Sequence, residues 1–274
     1  MKLEGLAAIV TGGTGMGGAT ASALAAKGAR VTVLGRRAAV VRRKAREIGG
    51  LGLACDVSDP ERVSQVLAEA EAAHGVARIL VNAAGDGRLA PLLMTDGTAF
   101  PRHVFGEVIA TNLLGVIYAT QAFAERLVAA DPLPADEDGE DRRGIVINVS
   151  SLAGSDGPIG AAYAASKGGV NALTLSLARE FAGWGIRVMT IAPGSVDTEM
   201  LRDGLTPDAE AMIAGGYVFP RRMGRPEEFA SLAVHLCEND YMNGSIVRFD
   251  GGVRRNALRP IVDPKMLAER SILK

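Results

Sequence analysis

Seven short apolar runs, at residues 6–10, 30–34, 51–54, 79–82, 144–149, 186–191 and 245–249, recur along the chain at intervals filled by longer segments. Those segments (18–27, 39–48, 60–74, 105–129, 163–181 and 227–237) carry Ala, Leu and charged residues at helical spacing. A strand that reads as a continuous apolar run is buried on both faces. Strands of that kind alternating with helices specify a parallel sheet, because right-handed crossovers lay the helices over both of its faces. The pattern predicts a doubly wound α/β sheet in one large domain spanning 1–255, with residues 256–274, bearing Pro260 and Pro264, as a C-terminal tail. The acidic stretch Asp131–Arg143 cannot build a core and is expected as a solvated insertion before the fifth strand.

Composition narrows the function classes. At 48% apolar and 22% charged, the 274 residues can bury a core despite 34 glycines. Thirty basic against 31 acidic side chains leave a net charge of −1, without the field that a nucleic-acid binder or a polybasic membrane protein uses. The expected partners are small molecules or further copies of the chain. Cys55 and Cys237 are too few for a disulfide scaffold and lack zinc-ligand spacing, so they are expected as buried thiols, with no metal site. The first apolar run is too short for a signal or membrane segment, and a cytoplasmic location is expected.

Three features carry chemistry. Residues 11–18, Thr-Gly-Gly-Thr-Gly-Met-Gly-Gly, sit between the first strand and the first helix, where missing Cβ atoms let backbone approach a pyrophosphate at a helix N-terminus. Read as G-x-G-x-x-G, the glycines are Gly13, Gly15 and Gly18. The second strand then ends in Gly35-Arg36-Arg37, without the carboxylate that accepts a ribose 2′-hydroxyl; a guanidinium there suits a 2′-phosphate, which favours NADP(H) over NAD(H). Finally, Tyr163 and Lys167 stand four apart on one helix face, downstream of Asn148-Val-Ser-Ser151 at the carboxyl end of the fifth strand. A nearby ammonium stabilises a phenolate, and a serine at the strand end can hydrogen-bond a carbonyl oxygen. His74, His103 and His235 fit no nucleophilic triad.

In this order, the glycine loop, Asp56-Val57, Asn82-Ala83-Ala84-Gly85, Asn112, Ser151, Tyr163-x-x-x-Lys167, Pro193-Gly194 with Thr198, and Asp250-Gly-Gly252 resemble the short-chain dehydrogenase/reductase family along nearly the whole chain. Residues 186–194, 219–224 and 238–244, with the acidic insertion, look most like its type-2 3-hydroxyacyl-CoA dehydrogenases, which also oxidise hydroxysteroids. The resemblance implies a Rossmann-type seven-stranded sheet of order 3-2-1-4-5-6-7 and a homotetramer. It also implies reversible hydride transfer between a nicotinamide and a secondary alcohol or ketone. It casts Tyr163 as acid/base, Lys167 as the group lowering its pKa and touching the nicotinamide ribose, Ser151 as the orienting hydroxyl, and Asn112 as holder of a relaying water. Gly12, Thr14, Gly15, Met16 and Gly17 would cradle the pyrophosphate, with Arg36 at the adenosine ribose. Asp56 and Val57 would border the adenine, and Asn82, Ala83, Ala84 and Gly85 would line the cofactor. Pro193, Gly194, Val196 and Thr198 would seat the carboxamide. Residues 201–222, with Met212, Tyr217 and Phe219, resemble a substrate lid.

This sequence departs from that pattern in two places. Its glycine loop is one residue shorter than the family's T-G-x-x-x-G-x-G, and Ser151 lies twelve residues before Tyr163 where thirteen is customary, so spacing favours Ser150 while distance from the strand end favours Ser151. Period-two alternation decides for Ser151. The nearest subfamily also uses NAD(H) with an acidic residue where this chain has Gly35, so NAD(H) stays open as cofactor. A nucleotide-binding regulator or scaffold without turnover is the alternative function.

Overall fold

The computed structural model describes residues 1–94, 96–134, 139–157, 160–203 and 205–254, the side chain of Met212 excepted. The expected tail at 256–274 lies outside them. Seven parallel strands form one sheet in the order β3-β2-β1-β4-β5-β6-β7, as the sequence pattern and the family resemblance predict. The strands are β1 (Ala7–Thr11), β2 (Arg30–Gly35), β3 (Leu51–Ala54), β4 (Ala77–Asn82), β5 (Gly144–Val149), β6 (Ile186–Pro193) and β7 (Ile246–Phe249). Between them lie α1 (Gly15–Ala26), α2 (Ala38–Ile48), α3 (Pro60–His74), α4 (Arg102–Ile109), α5 (Gly115–Ala129), α6 (Ala153–Asp156), α7 (Ala161–Glu180), α8 (Glu199–Arg202), α9 (Pro207–Gly215) and α10 (Pro226–Glu238).

The sheet divides two apolar cores. On one face Val10, Val33, Ile79 and Ile191 meet Leu24 of α1 and Phe229 and Leu236 of α10. On the other, Ile9, Leu80, Val146 and Val188 meet Val66 of α3 and Phe123 and Leu127 of α5. Alternation of adjacent residues such as Ile9 and Val10 between the two cores is the period of a pleated strand, and burial of both faces explains the unbroken apolar runs.

Two expected elements need correction. The helix read at 105–129 is broken by a π-helical turn, Ala110–Leu114, between α4 and α5, with Asn112 at its centre and fully buried. Such turns insert a residue into the ladder and occur often at functional sites. The combined stretch Arg102–Ala129 is long and apolar enough to cross a bilayer by length and composition, yet Val116, Ala119, Phe123 and Leu127 are buried within this fold. The first helix begins at Gly15, three residues earlier than expected, so Gly15–Gly18, half of the glycine segment, are helical first turn and not loop.

Both cysteines are buried and unpaired. Desolvation pushes their thiols up to about 11 for Cys55 and about 12 for Cys237, so neither is a thiolate at neutral pH.

Candidate active site

At the carboxyl edge of the sheet a cleft runs between the ends of β1, β2, β3 and β4, roofed by α8. Gly12, Thr14, Gly15, Met16 and Gly17 line it. Here the missing side chains are steric necessities. A Cβ on Gly17 would stand 2.4 Å from the Gly12 carbonyl oxygen, and Gly15 holds a left-handed φ of 51°. The cap residue of α1, Thr14, makes no side-chain cap bond and the first turn holds no acidic residue, which leaves helix N–H groups and the positive dipole end for an anion. Gly18, the last glycine of the G-x-G-x-x-G reading, is off the cleft; it lies inside α1, where a Cβ would meet the Gly13 oxygen at 2.8 Å.

Arg36, Asp56 and Val57 line the same cleft at the ends of β2 and β3, with Gly35 and Arg37. The other basic residues nearby behave differently: Arg43 and Lys44 pair with Glu47. Asp56 accepts from the Ser58 amide and hydroxyl through one oxygen, a local turn that fixes its carboxylate. Ala83, Ala84, Gly85 and Thr198 complete the lining, and Cys55, Thr111 and Met200, not singled out from sequence, join them.

Four of the expected cofactor residues, Asn82, Pro193, Gly194 and Val196, are not among those lining this cleft. Asn82 is 2% exposed, and its amide donates to Thr120 Oγ1 at 3.1 Å and Asn148 Oδ1 at 2.9 Å, so it ties β4 to α5 and β5. Pro193, Gly194 and Val196 also lie outside the lining: Gly194 abuts Tyr217 and Asp250, and Val196 bridges to Gly224. Tyr217, expected in a lid, is buried; its hydroxyl accepts from the Ser195 amide and donates to the Ser195 carbonyl, anchoring the segment after α9. Phe219 is 82% exposed.

The two serines diverge because pairing with β6 outlasts the assigned end of β5. The Ser150 amide donates to Ile191 O and the Leu152 amide to Pro193 O, so the chain stays extended and residues 150 and 151 face opposite ways. Ser150 is buried and donates to the Lys167 carbonyl at 3.0 Å. Ser151 faces the other way, its Oγ accepting from the Ala153 amide at 3.2 Å; burial pushes the Tyr163 phenol up, and the Ser151 hydroxyl works against that shift.

Lys167 is buried and donates from Nζ to Val149 O at 2.9 Å, standing 5.8 Å from the Tyr163 ring centre. Desolvation lowers its pKa to about 8 and raises that of the Tyr163 phenol, so burial alone drives both groups toward neutrality. Asn112 completes the group. Its Oδ1 accepts from the Asp86 amide at 2.7 Å, while Nδ2 donates to Asp86 O at 2.9 Å and to Ser166 Oγ at 3.3 Å. Both amide hydrogens of Asn112 are therefore committed to holding the loop after β4 against α7.

Comparison with known proteins gives the family: the model for short chain dehydrogenase matches residues 6–207. The chain belongs to the short-chain dehydrogenases. Human 3-hydroxyacyl-CoA dehydrogenase type-2 is 35% identical over 258 residues, covering 92% of this chain and 97% of that protein. Galactitol 2-dehydrogenase (L-tagatose-forming) of Cereibacter sphaeroides is 37% identical over 265 residues, covering 92% and 96%. The crystal structure of 3-hydroxyacyl-CoA dehydrogenase type-2 from Mycobacterium avium superposes with a TM-score of 0.83 at 33% identity, covering 94% of this chain and all of that one. This short-chain dehydrogenase is accordingly an oxidoreductase of alcohols and ketones that uses a nicotinamide dinucleotide, and not a scaffold. The cradle at Gly12–Gly17 and the unclaimed N-terminus of α1 fit that cofactor's pyrophosphate.

Proposed function

We propose that this chain is an NADP(H)-preferring reductase of ketones and dehydrogenase of secondary alcohols. The placing of Lys167 Nζ 5.8 Å from the Tyr163 ring centre on α7, beside Gly85 of the glycine-lined cleft, carries the reading. The bound nicotinamide supplies or accepts the hydride. Tyr163 Oη gives its proton to the carbonyl oxygen in reduction and takes it back in oxidation. Ser151 Oγ donates to the same oxygen and holds it still; the Lys167 ammonium stabilises the phenolate left behind. Asn112 keeps Gly85 and Asp86 in place beside Lys167, since a Cβ on Gly85 would lie 3.4 Å from Asn112 Oδ1 and 3.8 Å from Lys167 Nζ. Likeness to 3-hydroxyacyl-CoA dehydrogenase type-2 points to a 3-hydroxyacyl-CoA as substrate, and a hydroxysteroid is the second substrate that the sequence resemblance implies.

The preference for NADP(H) rests on Arg36 in the lining beside Gly35, where no carboxylate stands at the end of β2. Arg36→Ala should weaken NADP(H) binding by about ten- to a hundredfold, the worth of a hydrogen bond to a charged group, and leave NAD(H) within a few-fold. Gly35→Asp should move preference toward NAD(H), with Val41 Cγ1, 3.1 Å from the new Cβ, giving way slightly. The deciding measurement is oxidation of NADPH and of NADH with a 3-oxoacyl-CoA, a ketosteroid and a ketose. Higher kcat/KM with NADH would overturn the cofactor assignment, and no turnover of any ketone would overturn the site roles.

A further inference from the structure

β7 leads into Asp250-Gly251-Gly252, a stretch to which the steps above give no task. Gly251 and Gly252 hold left-handed φ values of 57° and 76°, and the tight reversal brings Asp250 and Val253 against Arg248 of β7. Asp250 Oδ2 accepts from Arg248 Nε at 2.8 Å, its other oxygen is taken by the Gly252 amide at 3.0 Å, and Val253 O accepts from Arg248 Nη2 at 3.2 Å. The guanidinium is thus held from its own side of the molecule. Its terminal nitrogens meet a residue 92 positions upstream: Nη1 donates to Asp156 Oδ1 at 3.1 Å and Nη2 to Asp156 Oδ2 at 2.8 Å. This is the bidentate fork that arginine, and not lysine, offers a carboxylate.

Asp156 is the last residue of α6, the single helical turn that follows Ser151. Four residues make too few internal hydrogen bonds to persist alone, so the position of this turn is imposed by what it packs on. Gly154 lies flush against α7, where a Cβ would stand 2.7 Å from the carbonyl carbon and oxygen of Lys167. Leu152, just ahead of the turn, is buried with Tyr217 and Val253. Arg248 grips its far end. What the placement controls is the first amide of the turn, that of Ala153, which donates to Ser151 Oγ at 3.2 Å. A hydroxyl has one proton and two acceptor sites. With the Ala153 amide on one acceptor site, the oxygen is held in place and its proton is left for a carbonyl oxygen.

We propose that Arg248 is a positioning residue of the reaction: through Asp156 it sets the α6 turn, whose Ala153 amide holds the Ser151 hydroxyl where it meets the reacting oxygen. That role rests on the assignment of Ser151 as the residue that orients this oxygen. It also gives the Asp250-Gly-Gly252 reversal its task, which is to brace Arg248. The pair is suited to holding a position more than to adding stability. Arg248 and Asp156 are 29% and 24% exposed, and ion pairs open to solvent contribute little to folding, whereas the fork and the brace from Asp250, 8% exposed, define a geometry.

A double-mutant cycle in the full chain tests this. Asp156→Ala removes the grip on α6 and leaves the contact of Arg248 with Asp250; Arg248→Gln removes both. Each should lower kcat for ketone reduction by about tenfold, the cost of a small misplacement of a group at the reacting centre, with the NADPH dissociation constant within about twofold of wild type. In a Ser151→Ala background the same substitutions should change kcat by less than about twofold, because the hydroxyl that they position is gone. A merely structural role would lower kcat by the same factor in both backgrounds. Equal factors therefore overturn the inference, as does wild-type kcat in Asp156→Ala. Should Arg248→Gln fail to fold, Asp156→Ala decides alone. If Ser151→Ala by itself leaves kcat unchanged, the assignment of Ser151 fails instead, and this inference with it.

Discussion

Tyr163→Phe is expected to lower kcat for ketone reduction by about 10²–10⁴-fold, the usual contribution of a general acid, while nucleotide affinity changes little. The substitution deletes Oη and leaves the ring in its packing, with Lys167 still anchored to Val149 O. It also empties nothing in the dinucleotide cleft, whose lining is made by the glycine segment, the end of β2 and the residues after β4. Single-turnover mixing of the variant with NADPH and a ketone separates the two effects. Retention of more than about a tenth of wild-type kcat would remove the phenol from the proton path. A kcat loss matched by an equal loss of NADPH affinity would mean that Tyr163 holds the nucleotide and does not move the proton.

Much of this site was legible because the chemistry sits where the chain leaves a strand. The ends of β1, β2, β4 and β5 follow unbroken apolar runs, so Arg36 and Ser151 could be placed on the ligand-binding edge from pattern, while Gly12 and Ala83 came with the family resemblance. What a linear pattern does not carry depends on packing across elements. Asn82 shares the strand-end position, but the side-chain parity that buries it between β5 and α5 comes from sheet pairing. Tyr217 looks like a pocket wall from sequence. Only the return of the chain to Ser195 makes it an anchor. Nothing in a linear pattern shows that Asn112, 26 positions from Asp86, holds the main chain of the loop after β4 beside α7. The π-helical turn around Asn112 escaped for a related reason, since apolar periodicity at 105–129 continues through it.

Ser151→Ala should reduce kcat by about 10²–10³-fold, the loss seen when one donor to a developing oxyanion is removed, with Ser150→Ala remaining within a few-fold of wild type. The asymmetry has its origin in the sheet. Because Ser150 and Leu152 both continue the pairing with β6, Ser151 is the residue turned toward Tyr163, and a slip of one position would exchange the two faces along the whole strand end. Ser150→Ala removes a donor to Lys167 O, costing about 1 kcal/mol of stability, a fall in the denaturation midpoint and not in turnover. Spacing to Tyr163 argued for Ser150, yet the missing residue is more cheaply absorbed in the turn around α6, between the serine and α7, than in a paired strand. Parallel kinetics and thermal melts of the two variants check both halves. Were Ser150→Ala the slower enzyme, the serine that meets substrate would be the one now donating to Lys167, and the strand end would have to twist on binding to release it.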